Sequence, residues 1–169
     1  TCSIVPTGCV MTDWSRLLTE QRNPASESLN ELSTLEMLQL INDEDAKVVP
    51  ALSNELPQIA EAVTAVTESL AAGGRLIYIG AGTSGRLGIL DAAECPPTFG
   101  TDPGMVRALI AGGSEAAFRS IEGAEDRPHA AAESLTHLSL SPPDIVVGIA
   151  ASGVTPFMPV SYTHLRAHE

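Results

Sequence analysis

The 169-residue chain has few aromatic residues, few cysteines and few cations, and each shortage excludes a class of protein. Aromatic side chains make up 4% of the sequence, so stacking surfaces for nucleic-acid bases are scarce. The 9 lysines and arginines stand against 21 aspartates and glutamates, and the formal charge of −12 disfavours binding to nucleic acids or anionic membranes. The three cysteines, Cys2, Cys9 and Cys95, are too few and too scattered for a disulfide framework.

Long hydrophobic runs are also missing. No apolar run approaches the ~18 residues of a membrane span, and the first ten residues lack the apolar region of a signal peptide. The apolar content of 44% is that of a globular protein and is too high for a disordered chain. We therefore expect a soluble, cytoplasmic protein that forms one domain or a piece of a larger one.

Patterning along the chain predicts four regions. Residues 1–18 are expected to be a leader or a disordered arm, because the first ten show no periodicity and precede Met11. Residues 19–74 are expected to be a helical segment, and residues 75–157 to be part of an α/β domain. Residues 158–169 carry no strand or helix pattern, and we expect them to be foreign to the fold.

The helical segment contains clear start and stop signals. Ser33 and Glu36 form a capping box, which predicts that a helix begins there. The four polar residues at 42–45 are expected to start a second helix. A third helix is predicted over residues 57–72, where apolar residues recur on one face, and Gly73 is expected to end it in a left-handed conformation.

Three apolar runs follow, at residues 75–80, 105–113 and 144–153, and each ends in glycine or small residues. Helices are expected between them, near residues 84–93 and 114–121. Nearly continuous apolar strands that alternate with helices are typical of a parallel sheet covered on both faces. The predicted fold class is therefore α/β, with a doubly wound parallel sheet preceded by helices. Three strands make an incomplete sheet, so we expect the chain to be the front part of a longer protein.

The loop after the first apolar run, GAGTSG at 80–85, matches the pattern G-x-G-x-x-G. Dinucleotide-binding proteins add an acidic residue about 20 positions further on, at the end of the second strand, whereas here that strand ends in AGG. The two hydroxyls of the loop favour another ligand, because hydroxyls and free helix amides together can hold a phosphate monoester. We expect a phosphosugar to bind at Gly82, Thr83, Ser84 and Gly85.

The third apolar run is followed by a second pair of hydroxyls, on Ser152 and Thr155. Ligands of open α/β sheets bind at the carboxyl ends of the strands, where the strand order reverses. Two hydroxyl-bearing loops at this edge can converge on one anion. The alternative is that both residues only cap a helix whose first turn contains Pro156.

Two carboxylates are candidates for acid–base chemistry. Glu94 is expected at the end of the helix that follows the phosphate loop, where a negative charge is electrostatically disfavoured. Glu125 follows the second predicted strand and its helix. Burial that separates two carboxyl pKa values can produce one general acid and one general base. Spacing alone also allows solvated surface acids, and Glu122 and Asp126 are equally available.

The other chemically active side chains have weaker signals. Cys95 is interpreted as a buried structural thiol, since no base partner is evident. His129 and His137 lie on a polar helix surface, without a spacing that suits a metal site. Arg86 can contact a ligand or pair with Asp91.

These residues carry a resemblance to a known family. The stretches GRLIYIGAGTSGRLGILDAAECPPTFG, EGAED and DIVVGIAASGVTPF closely resemble the N-acetylmuramic acid 6-phosphate etherases, which are proteins with a sugar isomerase (SIS) domain. The resemblance covers residues 19–157.

The resemblance implies a lyase of cell-wall amino-sugar recycling. Such an enzyme converts N-acetylmuramic acid 6-phosphate to N-acetylglucosamine 6-phosphate and D-lactate as a homodimer, without a cofactor, metal or nucleotide. It implies that Glu94 is the proton donor and that Glu125 is the second active-site glutamate. The hydroxyls of Thr83, Ser84, Ser152 and Thr155 are then the expected phosphate ligands.

Because the resemblance stops at Phe157, we expect the chain by itself to be inactive. Two other functions are compatible with the same residues. One is a non-catalytic phosphosugar sensor, since the animal glucokinase regulatory protein resembles this family. The other is an aldose–ketose isomerase of sugar phosphates, which would release no lactate.

Overall fold

The computed structural model describes residues 19, 21–125 and 128–152, and of residues 128–132 it describes the backbone alone. One compact unit reaches Ala65 and a second begins at Val66. None of the helices in this part of the chain is long and apolar enough to cross a membrane.

The first unit is helical. Two short 3-10 helices, Pro24–Ser26 and Leu29–Glu31, precede α1 (Thr34–Asp45), α2 (Val48–Asn54) and α3 (Leu56–Ala71), which continues into the second unit. The helical segment therefore has the helix content that its sequence predicts.

The start of α1 confirms the predicted capping box. The Ser33 hydroxyl accepts from the amide of Glu36 at 3.4 Å, and the Glu36 carboxylate accepts from the amide of Ser33 at 2.8 Å. This reciprocal pairing satisfies two amides that a helix N-terminus otherwise leaves free. The Ser33 hydroxyl also donates to the Glu36 carboxylate at 2.6 Å, and this bond, followed by that from the Ser33 amide, lowers the pKa of Glu36.

One predicted boundary in this unit is wrong. Residues 42–45 end α1 and do not start a second helix, which begins only at Val48. These polar side chains belong to a helix that has already begun and is capped at its N-terminus, so they do not start a new helix. The third helix is confirmed as α3, and Gly73 ends it with a φ of 83°. The predicted apolar face of α3 is largely solvent-exposed, with Val63 at 59%.

The second unit is built on a parallel sheet of β1 (Leu76–Gly80), β2 (Val106–Ile110) and β3 (Ile145–Ile149). The strand order is β2-β1-β3, and Gly80 at the end of β1 is in register with Ile110 and Ile149. The α/β fold class and the parallel strands are confirmed.

The sheet is covered on both faces. On one face, α4 (Gly82–Phe99) lies so close to β1 that a Cβ on Gly88 would come within 2.8 Å of the Tyr78 Cβ. On the other face, Ile79 packs in a core cluster with Leu135 of α5 (Pro128–His137). Neighbouring residues of β1 thus point to opposite faces, as the period of a strand requires.

Two predicted helices of this unit differ from the structure. Helix α4 does not end near residue 93 but continues through Pro96 and Pro97 to Phe99. The prolines lie in the last turn, and the amide of Gly100 bonds to the carbonyl of Pro96 at 2.9 Å to close the helix. After β2, a 3-10 helix at Ser114–Ala117 replaces the predicted longer helix, because the chain turns back to pack on its own start.

An ion pair joins the beginnings of β1 and β3. The Asp144 carboxylate, whose side chain is 2% exposed, accepts from the Arg75 guanidinium at 2.6 Å. It also accepts from the amides of Arg75 and Ser141, each at 2.8 Å. These donors hold the pKa of Asp144 far below its usual range, mainly through the Arg75 side chain. The carboxylate fixes the edge of the sheet opposite to the predicted phosphate loop.

Candidate functional site

The strand order places the candidate site at a switch point of the sheet. From β1, the chain crosses to β2 on one side and then to β3 on the other side. The strand order therefore reverses between β1 and β3. Ligands of open α/β sheets bind outside the carboxyl ends of the strands at such a reversal.

Helix α4 begins at this reversal of strand order, just after β1. Its N-cap, Ala81, has an extended backbone, and its side chain makes no capping hydrogen bond. The amides of the first turn have no partner within a helix, and Thr83 and Ser84 add two hydroxyls beside them. The helix dipole favours an anion at the same end. The predicted loop residues Gly82, Thr83, Ser84 and Gly85 thus all lie in the first turn of α4.

Two glycines allow the helix to start directly against the strands. A Cβ on Gly85 would lie 2.6 Å from Cγ1 of Ile110 and 2.8 Å from the carbonyl oxygen of Gly80. A Cβ on Gly80 would lie 3.0 Å from the carbonyl oxygen of Ile149. The glycine pattern in the loop therefore reflects a close approach of its backbone to the backbone of β1 and β3 and to the Ile110 side chain of β2.

Ser152 lies at the same edge, just past the end of β3. Since Gly80 is in register with Ile149, the loops after β1 and β3 start side by side. The other hydroxyl predicted here, that of Thr155, lies outside the described residues.

Glu125 is brought to this edge by a folded segment after β2. A Cβ on Gly112, just beyond β2, would meet the Cβ atoms of Ile121, Ala116 and Ala124 at 3.1–3.2 Å. The segment therefore closes on its own start, and the buried Ala124 anchors Glu125 beside the end of β2. The Glu125 carboxylate is exposed, as is that of Glu122.

Glu94 is not brought to its own phosphate loop. It lies within α4, and the expectation that it ends the helix is wrong, because the helix continues to Phe99. It follows Ser84 by 10 residues (94 − 84), which corresponds to about 15 Å along the helix axis. Glu94 is exposed on the outer side of the domain.

Further along α4, Tyr78 lies beneath the helix and forms a hydrogen bond to Asp91. Burial, together with this carboxylate, raises the pKa of Tyr78 to about 12. Burial and Asp91 also raise the pKa of the half-buried Cys95 thiol, which supports its interpretation as a structural residue. The sequence analysis did not single out Tyr78, although its place between buried Ile77 and Ile79 indicates a side chain on the α4 face.

Arg86 makes a contact that the sequence did not predict. Its Nε donates to the backbone carbonyl of Ala117 at 3.2 Å, and Asp91 bonds to Tyr78. The positions of Arg86 and Asp91 in one helix suggested an ion pair between them. The fold instead brings the segment after β2 within hydrogen-bond distance of Arg86.

No grouping of three His, Cys, Asp or Glu side chains suits a metal ion within residues 19, 21–125 and 128–152. His137 is the last residue of α5. The side chain of His129 lies outside the described part of the chain.

Comparison with known proteins gives one family match. Residues 58–163 match the family model described as "Glucokinase regulatory protein N-terminal SIS domain". The matched range contains the whole sheet and the candidate site, and it extends beyond Phe157.

Curated relatives share most of this chain. An N-acetylmuramic acid 6-phosphate etherase of Edwardsiella ictaluri is 61% identical over 142 residues, which are 84% of this chain and 47% of the relative. An N-acetylmuramic acid 6-phosphate etherase 2 of Vibrio parahaemolyticus is 59% identical over 146 residues, with coverage of 86% and 49%. An N-acetylmuramic acid 6-phosphate etherase of Cutibacterium acnes is 60% identical over 140 residues, which are 83% of this chain and 46% of the relative. The chain spans about half the length of the curated relatives it matches.

Proposed function

Because the chain belongs to the family of the glucokinase regulatory protein N-terminal SIS domain, we propose that it binds a phosphosugar at the start of α4. We propose further that its reaction is that of the N-acetylmuramic acid 6-phosphate etherases. The names of the Edwardsiella, Vibrio and Cutibacterium relatives support this reaction.

One observation carries the binding proposal. Thr83 and Ser84 lie in an uncapped first turn at the carboxyl end of β1, where the strand order reverses. Free amides, two hydroxyls and the helix dipole there match the oxygens and the charge of a phosphate monoester. In our proposal, Ser152, which follows the neighbouring strand β3, supplies a further hydroxyl. The neutral donors also explain how a chain of net charge −12 can hold an anion.

The proposed reaction breaks the C3–O bond to the lactyl group. In the ring-opened sugar, the C1 aldehyde acidifies the C2 proton. A carboxylate removes this proton, and lactate leaves C3 as a carboxylic acid donates a proton to the departing oxygen. Water then adds across the C2–C3 double bond and gives N-acetylglucosamine 6-phosphate. We assign the proton donor to Glu94 and the second acid–base group to Glu125.

The position of Glu94 supports a homodimeric site. The phosphorus of a hexose 6-phosphate is only five or six bonds from C3 and C2, or about 7 Å. Glu94 lies about 15 Å along α4 from Ser84, too far for a sugar held by its own loop. In our proposal it serves the sugar that a second copy holds. Leu87 and Leu90, which are 54% and 58% exposed on the outer side of α4, would be covered by that copy.

A second candidate function is non-catalytic phosphosugar sensing. It is favoured by the description of the matching family, which is that of a regulatory protein. The sensor needs the same phosphate site but no acid–base carboxylates. Binding alone does not distinguish the two functions, whereas release of D-lactate does.

Binding is tested on the chain itself by titration calorimetry. We expect N-acetylglucosamine 6-phosphate to bind and the sugar without its phosphate not to bind. Ser84→Ala is expected to weaken binding about tenfold, because the loss of one hydrogen bond to a charged group amounts to about 1.4 kcal/mol. Ser53→Ala is the control, since its hydroxyl bonds to the Val49 carbonyl on exposed α2. Equal affinity for both sugars would contradict the proposed phosphate site.

A further inference from the structure

The segment between β2 and Glu125 is anchored at three places. At its two ends, Gly112 and Ala124 lie so close that a Cβ on Gly112 would come within 3.2 Å of the Ala124 Cβ. In its middle, Ala116 of the 3-10 helix Ser114–Ala117 is buried. The third anchor lies outside the segment and is the Arg86 side chain on α4, bonded to the Ala117 carbonyl.

Arg86 occupies an unusual place for a cation. It lies two residues after Ser84, near the positive end of the α4 dipole, where a positive charge is disfavoured. Arg86 is half-buried, and its guanidinium donates a hydrogen bond to a neutral carbonyl. The side chain leans toward the N-terminus of its helix, which is the direction of the carboxyl edge. A role in joining α4 to the segment after β2 explains this placement.

The hydrogen bond from Arg86 joins α4 to the segment after β2, and both elements carry residues of the proposed site. The first turn of α4 holds Thr83 and Ser84, and the close contact of Gly85 with Ile110 fixes that turn on the sheet. The segment that Arg86 reaches leads directly to Glu125. The bond from Arg86 to Ala117 therefore spans from the phosphate-binding turn to the segment that bears the carboxylate.

We propose that Arg86 is a positioning residue that sets the place of Glu125 relative to the bound phosphate. The part that concerns Glu125 and the phosphosugar rests on the proposed function, whereas the connection itself does not. A planar guanidinium donates from Nε in a fixed direction, and a lysine ammonium cannot reproduce this geometry.

The segment offers a matched control. Arg119 pairs with Glu115 on the surface, with side chains that are 68% and 64% exposed. Exposed pairs of this kind contribute little to stability. Arg119→Met thus removes one positive charge, as Arg86→Met does, but from the segment itself and without removing the connection to α4.

The test uses the whole chain, with its glutamate carboxyl carbons labelled for NMR, and N-acetylglucosamine 6-phosphate as the probe. In the unsubstituted chain and in Arg119→Met, we expect the Glu125 carboxyl signal to move when the probe binds. In Arg86→Met and Arg86→Lys, we expect affinity within about twofold of the unsubstituted chain, but loss of that movement. Hydrogen exchange of the amides at 113–125 is expected to rise about tenfold in both variants.

The outcomes test separately the connection of Arg86 to the segment after β2 and the positioning of Glu125. Unchanged exchange at 113–125 in the folded Arg86→Lys chain would overturn the connection, whatever the chain binds. A rise in exchange without any change in the Glu125 response would overturn the positioning of that carboxylate. A tenfold loss of affinity in both Arg86 variants would instead make Arg86 a phosphate ligand. If the probe fails to bind the unsubstituted chain, the proposed function fails, and the exchange data still decide the connection.

Discussion

Within the described part of the chain, the surroundings of Asp144 fix its charge most strongly. Its carboxylate is nearly inaccessible and accepts from the Arg75 guanidinium and two backbone amides. Removing one partner of a buried, hydrogen-bonded ion pair leaves the other without compensation. We expect Asp144→Asn to lower the free energy of unfolding at pH 7 by about 2–4 kcal/mol, measured by urea denaturation. Asp102→Asn, in an exposed turn, is expected to change it by less than ~0.5 kcal/mol.

The stabilisation that the ionised Asp144 carboxylate contributes depends on pH and decreases as pH falls. The folded state lowers the pKa of Asp144 below the ~3.9 of an unfolded chain. Its stabilisation is therefore complete above about pH 5 and declines as pH falls through the unfolded value toward the folded one. The stability difference between the unsubstituted chain and Asp144→Asn should shrink between pH 5 and pH 3. A difference that stays constant over this range would contradict the account.

Single residues differ in how far the sequence predicts them. The bond between Ser33 and Glu36 was predictable, because both partners lie within one helical turn. The bond from Arg86 to Ala117 was not, because 31 positions separate the two residues and the fold of the intervening strand brings them together. Local spacing identifies candidate partners, and tertiary structure decides among them.

At the scale of elements, the contact between α4 and β1 depends on small residues. A Cβ on Gly88 would lie 2.8 Å from the Tyr78 Cβ, so the helix must move outward to accept one. We expect Gly88→Ala to destabilise the fold by about 1–3 kcal/mol, as overpacking does. Gly100→Ala is the control, since nothing lies within 4 Å and only the left-handed φ of 67° costs about 1 kcal/mol. Thermal unfolding checks both, and equal losses would contradict the packing argument.

Apolar runs bounded by glycine were sufficient to predict all three strands. Helix ends were harder to predict, because proline excludes a helix interior but is tolerated where the next turn closes on Gly100, as in α4. The 3-10 helix after β2 was also missed. Its sequence, SEAA, is compatible with a longer helix, and the packing of Ala124 on Gly112 turns the chain instead.

At the scale of the whole molecule, the strand order gives the site its location. The sequence predicts which residues form strands but not which strands are neighbours, so the reversal of strand order between β1 and β3 came only from the structure. The loop proposed to bind phosphate could be singled out from the sequence, because its chemistry is local to GAGTSG. The separation between Ser84 and Glu94 follows from the length of α4 and makes a second copy necessary in the proposed reaction.

Release of D-lactate tests the proposed etherase reaction. The substrate is N-acetylmuramic acid 6-phosphate, and the protein is this chain joined to the remaining half of the Edwardsiella ictaluri relative. We expect D-lactate and N-acetylglucosamine 6-phosphate in equal amounts. We also expect a rate loss of ~10²–10⁴-fold for Glu94→Ala and no loss for Glu61→Ala on α3. A loss below tenfold would remove Glu94 as the proton donor. Phosphosugar binding or isomerisation without D-lactate would contradict the etherase and leave a sensor or an isomerase.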